Sequence, residues 1–414
     1  MSQRVTSMIE VLSTASWLNA GRARAYLIIL AAVSAAVVLV YIGLSSPLHD
    51  PLGKALGTDF ASFWTASALA LAGAPAAAWN PDLHADAQAA LFGAGAGYAA
   101  YFYPPPYLLL CLPLALLPYA ASLAVWLTAT WAGWALMVRA WMGRWMNWLA
   151  VACFPAALVN AGHGQNGFLT AALFGAAALM TERRPWLSGA LFGALIIKPH
   201  LAVLVPLFLI LTGNWRAFLA AGLTAGGLCL VSLAVLGPDS WRAFLETSVL
   251  ARAALEQDLV GYAKMQSAYA AVRLAGGGSV AAWALQGAAM ALAVVVLWKT
   301  RRCTEAARGA AMACATLVAT PFLLDYDLTL LAVPLAWMAG QGLSHGFRPW
   351  EKLVLLAAFV LPWVARPLAL ATDLAVGPAL IIVLLILVAR RGLQAQSREV
   401  VAAPAPPQPV ASPA

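Results

Sequence analysis

One aspartate stands at the head of an aromatic, otherwise uncharged stretch, Gly57-Thr58-Asp59-Phe60-Ala61-Ser62-Phe63-Trp64. Four further polar groups punctuate the apolar runs downstream: His163-Gly164-Gln165-Asn166, Lys198-Pro199-His200, Gln266-Ser267 and Asp325-Tyr326-Asp327. These are the residue types of proton transfer and anion binding. Carboxylates can take a proton, lysine and histidine can carry positive charge, and amides can donate and accept hydrogen bonds. Ionisable groups at membrane depth are costly, so each is a candidate for function. Each also has a plainer reading. Asp59 suits a helix N-cap beside Thr58. Lys198 can extend to the lipid headgroups. His163, Gln165 and Asn166 can form an ordinary polar turn between spans, and Asp325 and Asp327 can cap a helix starting near Leu328. Trp64 and Trp79 read as interfacial anchors.

The elements that must position these groups are membrane helices. The chain is 63% hydrophobic and 10% charged, whereas a soluble domain is about half apolar and about a quarter charged. The apolar runs have helix length and lack the alternating strands of about ten residues found in an outer-membrane barrel. The net charge of +8 belongs to short loops, where Lys and Arg orient a membrane protein, and does not point to nucleic acid. Five cysteines without a CxxC pair suggest buried packing residues and no disulfide framework. There is no Walker A loop, HExxH, GxSxG or CxxC, which argues against ATP-driven machinery and the familiar soluble hydrolases.

Read in order, residues 1–24 form a basic cytoplasmic N-terminus, and 25–390 hold about twelve predicted spans and two long external loops. The first loop, 45–103, contains a helix over Phe60, Phe63, Trp64, Ala68 and Leu71 whose spacing predicts an interfacial location. A second helix there starts at Asn80-Pro81, a cap followed by proline at the first helical position. Pro104-Pro105-Pro106 and Pro113 make 104–118 a re-entrant or kinked entry, and 119–138 is the full span. Spans follow near 146–160, 167–181, 186–197, 199–212, 216–237, 279–298, 308–324, 327–340, 352–366 and 376–390. The pair around Lys198-Pro199 reads as a helix broken at membrane depth. The second external loop is 238–278, with a helix over Ser240–Leu255. Residues 391–414 read as a cytoplasmic, disordered Pro/Ala-rich tail. Of the 24 Lys and Arg residues, 17 fall in the segments assigned to the inside, and 11 of the 16 acids fall outside. That parity places the five polar groups toward the outer face, around one wet cavity.

The segments TDFASFWTASALALAG, WNP and YFYPPPYLLLCLPLALLP resemble the opening of glycosyltransferase family 87, a GT-C membrane family that includes polyprenyl-phosphate-mannose-dependent mannosyltransferases. The likeness continues through GHGQNGFLTAALFGAA, IIKPHLAVLVPLFLI, QSAYAAVRLAG and TPFLLDYDLTLLAVPL, to about residue 390. It implies an all-α polytopic membrane protein of the GT-C type, with external loop helices and chemistry on the non-cytoplasmic side. Asp59 matches the catalytic acid that GT-C enzymes carry in the first external loop. Where the resemblance leads one to expect a histidine before Asp325, this chain has Phe322-Leu323-Leu324.

The implied reaction moves a sugar, mannose first, from a polyprenyl phosphate to a lipid or glycan acceptor hydroxyl, with inversion. Asp59 would be the general base. Lys198, His200, His163, Gln165, Asn166, Tyr103, Gln266, Asp325 and Asp327 would bind donor phosphate and substrate. A donor without a diphosphate does not require a divalent metal; no cofactor is expected, and the aspartates leave a metal site open. The expected location is the inner (plasma) membrane, multi-pass, with membrane lipids as partners and the site facing the periplasm or exterior. Alternatives are a lipid-linked glycan polymerase or ligase, and a transporter or flippase for lipid-linked sugars. A transporter would show repeat symmetry with paired broken helices, and no clear repeat is visible.

Overall fold

The computed structural model describes residues 2–402. Among these, nineteen α-helices and short 3-10 turns form the chain, with no β-strand. α1 (Ser2–Thr14) precedes α2 (Ala20–Leu44). A loop module follows, made of α3 (Phe60–Leu71), the turn Pro75–Trp79, α4 (Pro81–Phe92) and α5 (Pro105–Cys111). Next come α6 (Tyr119–Met142), α7 (Trp148–Ala152), α8 (Pro155–His163), α9 (Gly167–Ala178), α10 (Pro185–Ala194), α11 (Val205–Leu211) and α12 (Trp215–Leu236). α13 (Pro238–Glu256) and α14 (Ala268–Leu274) form a second insertion. The chain ends with α15 (Ser279–Thr300), α16 (Glu305–Ala319), α17 (Ala332–His345), α18 (Glu351–Thr372) and α19 (Gly377–Ala402).

Among the described residues, six helices (α2, α6, α12, α15, α18 and α19) are long and apolar enough to cross a membrane. The other expected spans are shorter or broken helices. The 146–160 run divides into α7 and α8 at Phe154-Pro155, where proline removes a backbone donor. The 186–212 run divides into α10, two 3-10 turns and α11, with Lys198 between the turns. Segment 104–118 is α5 followed by the 3-10 turn Leu112–Leu116, too short for a span. α19 continues to Ala402, which corrects the expectation that disorder begins at 391: no proline interrupts the helix before Pro404. Residues 403–414 of the expected tail lie outside the described residues.

α16 is the centre of the bundle. Every residue from Ala307 to Ala319 on it is buried, and its sequence is largely Ala and Gly, which lets α15, α19, α17 and α9 approach closely. α10 and α12 meet in the same way. Added Cβ atoms at Gly189 and Gly193 would lie 2.2 Å and 2.4 Å from the carbonyl oxygens of Ala217 and Ala221. Only glycines spaced four apart allow that backbone contact. Away from the loop modules, α18 and α19 are tied by a buried Arg391–Glu351 ion pair, and Arg308 meets Glu182 at 2.7 Å.

The loop module has its own apolar core. Phe60, Phe63, Trp79, Tyr101, Tyr107 and Trp126 are all buried in it. α3 therefore does not lie as an exposed interfacial helix: Phe60–Phe63 and Thr65–Ser67 are buried, and Ser67 Oγ donates to Cys111 O at 2.8 Å. The apolar stripe of α3 faces protein because the 75–79 turn, α5 and the 112–116 turn cover it. α4 begins as its sequence signals, with Asn80 Oδ1 accepting from Asp82 N and Leu83 N at 3.1 Å each. On α4, fully buried His84 faces Ser62 O across 3.3 Å through Nε2 and Gln88 Nε2 across 3.3 Å through Nδ1. This pairing fits the neutral ring, with Nε2–H donating and Nδ1 accepting.

Burial lowers the His84 pKa from 6.5 to about 4, the hydrogen bond to Ser62 opposing part of that shift. The unfolded chain therefore binds this proton first, and His84's contribution to stability is present above about pH 6.5 and lost as pH falls toward about 4. The contribution is roughly 3 kcal/mol. Unfolding of the detergent-solubilised protein at pH 7, 5.5 and 4 should show a steeper acid loss for wild type than for His84→Gln. Identical slopes would remove His84 as the source.

Candidate active site

The site begins where two segments about a hundred residues apart touch through their backbones. α8 ends in Gly164, whose φ of +64° lies in the left-handed region that glycine adopts without penalty. A Cβ at Gly164 would stand 2.6 Å from Phe60 Cβ and 3.3 Å from Gly57 O. This close approach lets Asp59 N donate to His163 O at 3.0 Å. Thr58 Oγ1 lies 2.8 Å from His163 Nδ1, and Trp126 Nε1 donates to Gly164 O at 3.1 Å. Asp59 occupies the N-cap position of α3, but its side chain makes no capping hydrogen bond.

The carboxylate of Asp59 turns instead to Gln165, whose Nε2 donates to Asp59 Oδ2 at 3.0 Å. The orientation of that amide is determined by its other end. Gln165 Oε1 accepts from Asn166 N at 2.9 Å and from Tyr103 Oη at 3.0 Å. A backbone N–H can only donate, so the atom facing it must be the oxygen, and the NH2 group must face Asp59. Burial holds the Tyr103 phenol well above its usual pKa, and the neighbouring Asp59 charge adds to this; Tyr103 therefore remains a donor.

A second part of the network surrounds Lys198 at the break between α10 and α11. Its ammonium lies 2.5 Å from Asp327 Oδ1 and donates to Asn166 Oδ1 at 3.0 Å. It also sits 4.8 Å from the centre of the Tyr326 ring. Lys198 and Asp327 are 3% and 2% exposed, so Lys198 does not reach the headgroups. The other Asp327 oxygen accepts from Leu324 N at 3.2 Å, so the capping reading of Asp327 accounts for one of its two oxygens.

Asp59, Tyr103, Gln165, Lys198, His200 and Asp327 all line one cavity of about 1360 Å3. That exceeds the ~300–1,000 Å3 of an ordinary small-ligand site. Trp79 is in its wall too, buried and donating through Nε1 to Tyr103 O at 2.8 Å, rather than anchoring an interface. His163 and Asn166 stand behind this wall, holding Thr58 and Lys198. Phe322, near the position of the expected histidine, packs against the ring of His200 at 6.3 Å.

Two candidates lie elsewhere. Gln266 is buried, with neither side-chain amide atom hydrogen-bonded, in an apolar niche with Ala289, Leu317 and Ile381. Asp325 is buried outside the cavity lining, its Oδ1 accepting from Tyr326 N at 2.9 Å. Burial pushes its carboxyl up, while His163, Arg366 and Lys264 pull it down. Among the described residues, no three His, Cys, Asp or Glu side chains gather as a metal-binding group. One charged residue of the wall, Lys264, is absent from the sequence-based candidates. It is a single lysine just ahead of the Gln266-Ser267 group and outside the QSAYAAVRLAG segment that carries the family resemblance there.

Two consequences are testable. Gly164→Ala should push Phe60 and Asp59 away and lower turnover at least about ten-fold, since a misplacement of ~1 Å can cost ~100-fold; full turnover in a correctly inserted variant would refute the seam's role. Lys198→Met leaves Asp327 buried and unpaired and should cost about 3–5 kcal/mol of stability. The double variant Lys198→Met/Asp327→Leu should recover most of that loss in a thermal unfolding assay. A double variant no more stable than the single would show that the pair is not coupled.

A family model described as glycosyltransferase family 87 matches residues 101–324, more than half of the chain. The matched stretch contains Tyr103, His163, Gln165, Asn166, Lys198, His200 and Gln266, and leaves Asp59, Asp325 and Asp327 outside. No curated protein matches the chain, and no solved structure does. The chain belongs to glycosyltransferase family 87 and is an all-α, polytopic membrane glycosyltransferase.

Proposed function

We propose that the enzyme transfers a sugar, with mannose the first candidate, from a polyprenyl-phosphate donor to the hydroxyl of a lipid or glycan acceptor, inverting the anomeric centre. The observation that carries this reading is the Asp59 carboxylate. It lines the large cavity, makes no cap and has no cation within ion-pair distance among the described residues; its carboxylate accepts from the Gln165 amide. An acceptor hydroxyl beside it can pass its proton to the carboxylate as its oxygen attacks the anomeric carbon. The bond from that carbon to the phosphate oxygen breaks with its electron pair moving to the phosphate, and the proton remains on Asp59.

The rest of the wall fits that use. Gln165, fixed by Tyr103 and Asn166, orients the base. Lys198 and Asp327 neutralise each other and keep Asn166 in place. Trp79, Tyr101 and Phe244 line the cavity with rings on which a sugar can stack. Pro104, next to Tyr103 in the wall, begins the stretch we assign to entry of the polyprenyl chain. On this reading the cavity faces the non-cytoplasmic side of the cell membrane, and a donor without a diphosphate does not require a divalent metal for transfer.

The test is transfer of labelled sugar from polyprenyl-phosphate mannose, glucose and arabinose to membrane lipids. Asn at position 59 can still accept from Gln165, so Asp59→Asn should insert and fold normally while losing about 10²–10⁴-fold in transfer. Wild-type rates in Asp59→Asn would remove Asp59 as the base, and absence of transfer by wild type from any of the three donors would remove the donor class.

A further inference from the structure

The charges on the cavity wall do not cancel group by group. Among the described residues, the lining contains four charged side chains: Asp59, Lys198, Lys264 and Asp327. Lys198 and Asp327 are paired at 2.5 Å. Asp59 is hydrogen-bonded to a neutral amide. The Lys264 ammonium has no ion pair or hydrogen bond among the described residues, and its side chain is half-buried. The wall thus presents one carboxylate and one ammonium without a direct ion-pair partner, Lys264 acting at longer range on the Asp325 carboxyl behind the wall.

Lys264 is held in place by structure on both sides. It ends the 3-10 turn Tyr262–Lys264. Before it, Asp258 takes a left-handed φ of 58° and accepts from Tyr262 N at 2.5 Å. Tyr262 Oη donates to Glu256 O at 3.0 Å and accepts from Arg273 Nε at 3.1 Å. After it, Met265 forms a β-bridge with Leu324, and Gln266 N donates to Leu323 O at 2.8 Å. Residues 322–324 carry Phe322 and Leu324 into the cavity wall. His200 meets the Phe322 ring edge to face, with its Nε2 buried and unpartnered. An ammonium with no direct partner and an unsatisfied imidazole nitrogen are therefore both attached to the same short segment, 322–324.

We infer that Lys264 meets the phosphate of the lipid-linked donor and holds it as it leaves. This rests on the reading of Asp59 as base and of a polyprenyl phosphate as the sugar carrier. The chemistry requires a group of this kind on the leaving side. The donor is a phosphate diester with one negative charge. When the carbon–oxygen bond to the sugar breaks, the electron pair stays on the phosphate, and the monoester acquires a second negative charge. The acceptor proton goes to Asp59, so the new charge must be met by another group. A cation at that position gains energy as the bond breaks, so it favours the transition state and the lipid phosphate product over the donor. Lys198 supplies little of this field, because Asp327 already matches its charge. Lys264 is a catalytic residue on this account, with His200 as a neutral hydrogen-bond partner beside it.

The test uses the full-length protein in lipid nanodiscs, with polyprenyl phosphate and uncharged polyprenol of equal chain length as probes. Wild type should prefer the phosphate. Lys264→Gln should weaken phosphate binding about ten-fold or more while leaving polyprenol binding unchanged, and Lys264→Arg should retain much of the preference. In transfer assays Lys264→Gln should lower kcat more than it raises KM for the donor. Asp59→Asn should bind polyprenyl phosphate like wild type. Wild-type phosphate binding by Lys264→Gln would overturn this assignment and leave Asp59 and the donor class standing. A wild-type protein that does not distinguish polyprenyl phosphate from polyprenol would overturn both.

Discussion

The site depends on one backbone seam. Residues 57–60 press against residues 163–165 at a distance that no side chain on Gly164 would permit. From that contact follow the hydrogen bond that fixes Asp59 and the approach of Thr58 to His163. So does the placing of Gln165 beside the carboxylate. Thr58, Asp59, His163 and Gln165 are all within a few bonds of the seam. A soft junction there would leave the Asp59 carboxylate on a loop; with the seam the carboxylate is attached to the end of α8. The arrangement follows the rule that reactive groups need rigid support close behind them.

The second support is electrical. Lys198 and Asp327 are nearly fully buried, 129 residues apart in sequence, and joined to Asn166 and Tyr326. Neither charge would be tolerated there alone. Together they link the broken α10–α11 region to the segment before α17 and to the loop that carries Gln165. The pair is better read as a bolt across the cavity wall than as a ligand-binding charge, which leaves the work of meeting an anion to a group outside it.

Local signals in the sequence were sufficient for several features: the cap at Asn80-Pro81, the break at Lys198-Pro199, the Pro-rich segment too short to span, and the isolated Asp59. Each is set by neighbours within a few residues. The features that escaped depend on distant partners. α3 shows the stripe of an interfacial helix, but the 75–79 turn and the segment after Pro104 cover it. Gln266 falls outside the cavity because pairing of Met265 with Leu324 leaves the amide among apolar groups. The same pairing accompanies Lys264 into the wall, where one lysine in a mixed loop gives no warning. Where a histidine is expected before Asp325 the chain has Phe322-Leu323-Leu324, and His200, from another segment, packs against the Phe322 ring.

α16 has a consequence for how the protein is made. It lies at the centre of the bundle and is buried along nearly its whole length, yet it has only 15 residues, among them Glu305 and Arg308, and is not among the helices long and apolar enough to cross a membrane. Lipid alone gives such a segment little reason to leave the translocon. α15, apolar and 22 residues long, precedes it by a four-residue turn and packs along it, so the two are suited to enter as a hairpin. The middle of the enzyme is therefore poorly able to insert by itself, and its biogenesis is coupled to the helices that enclose it.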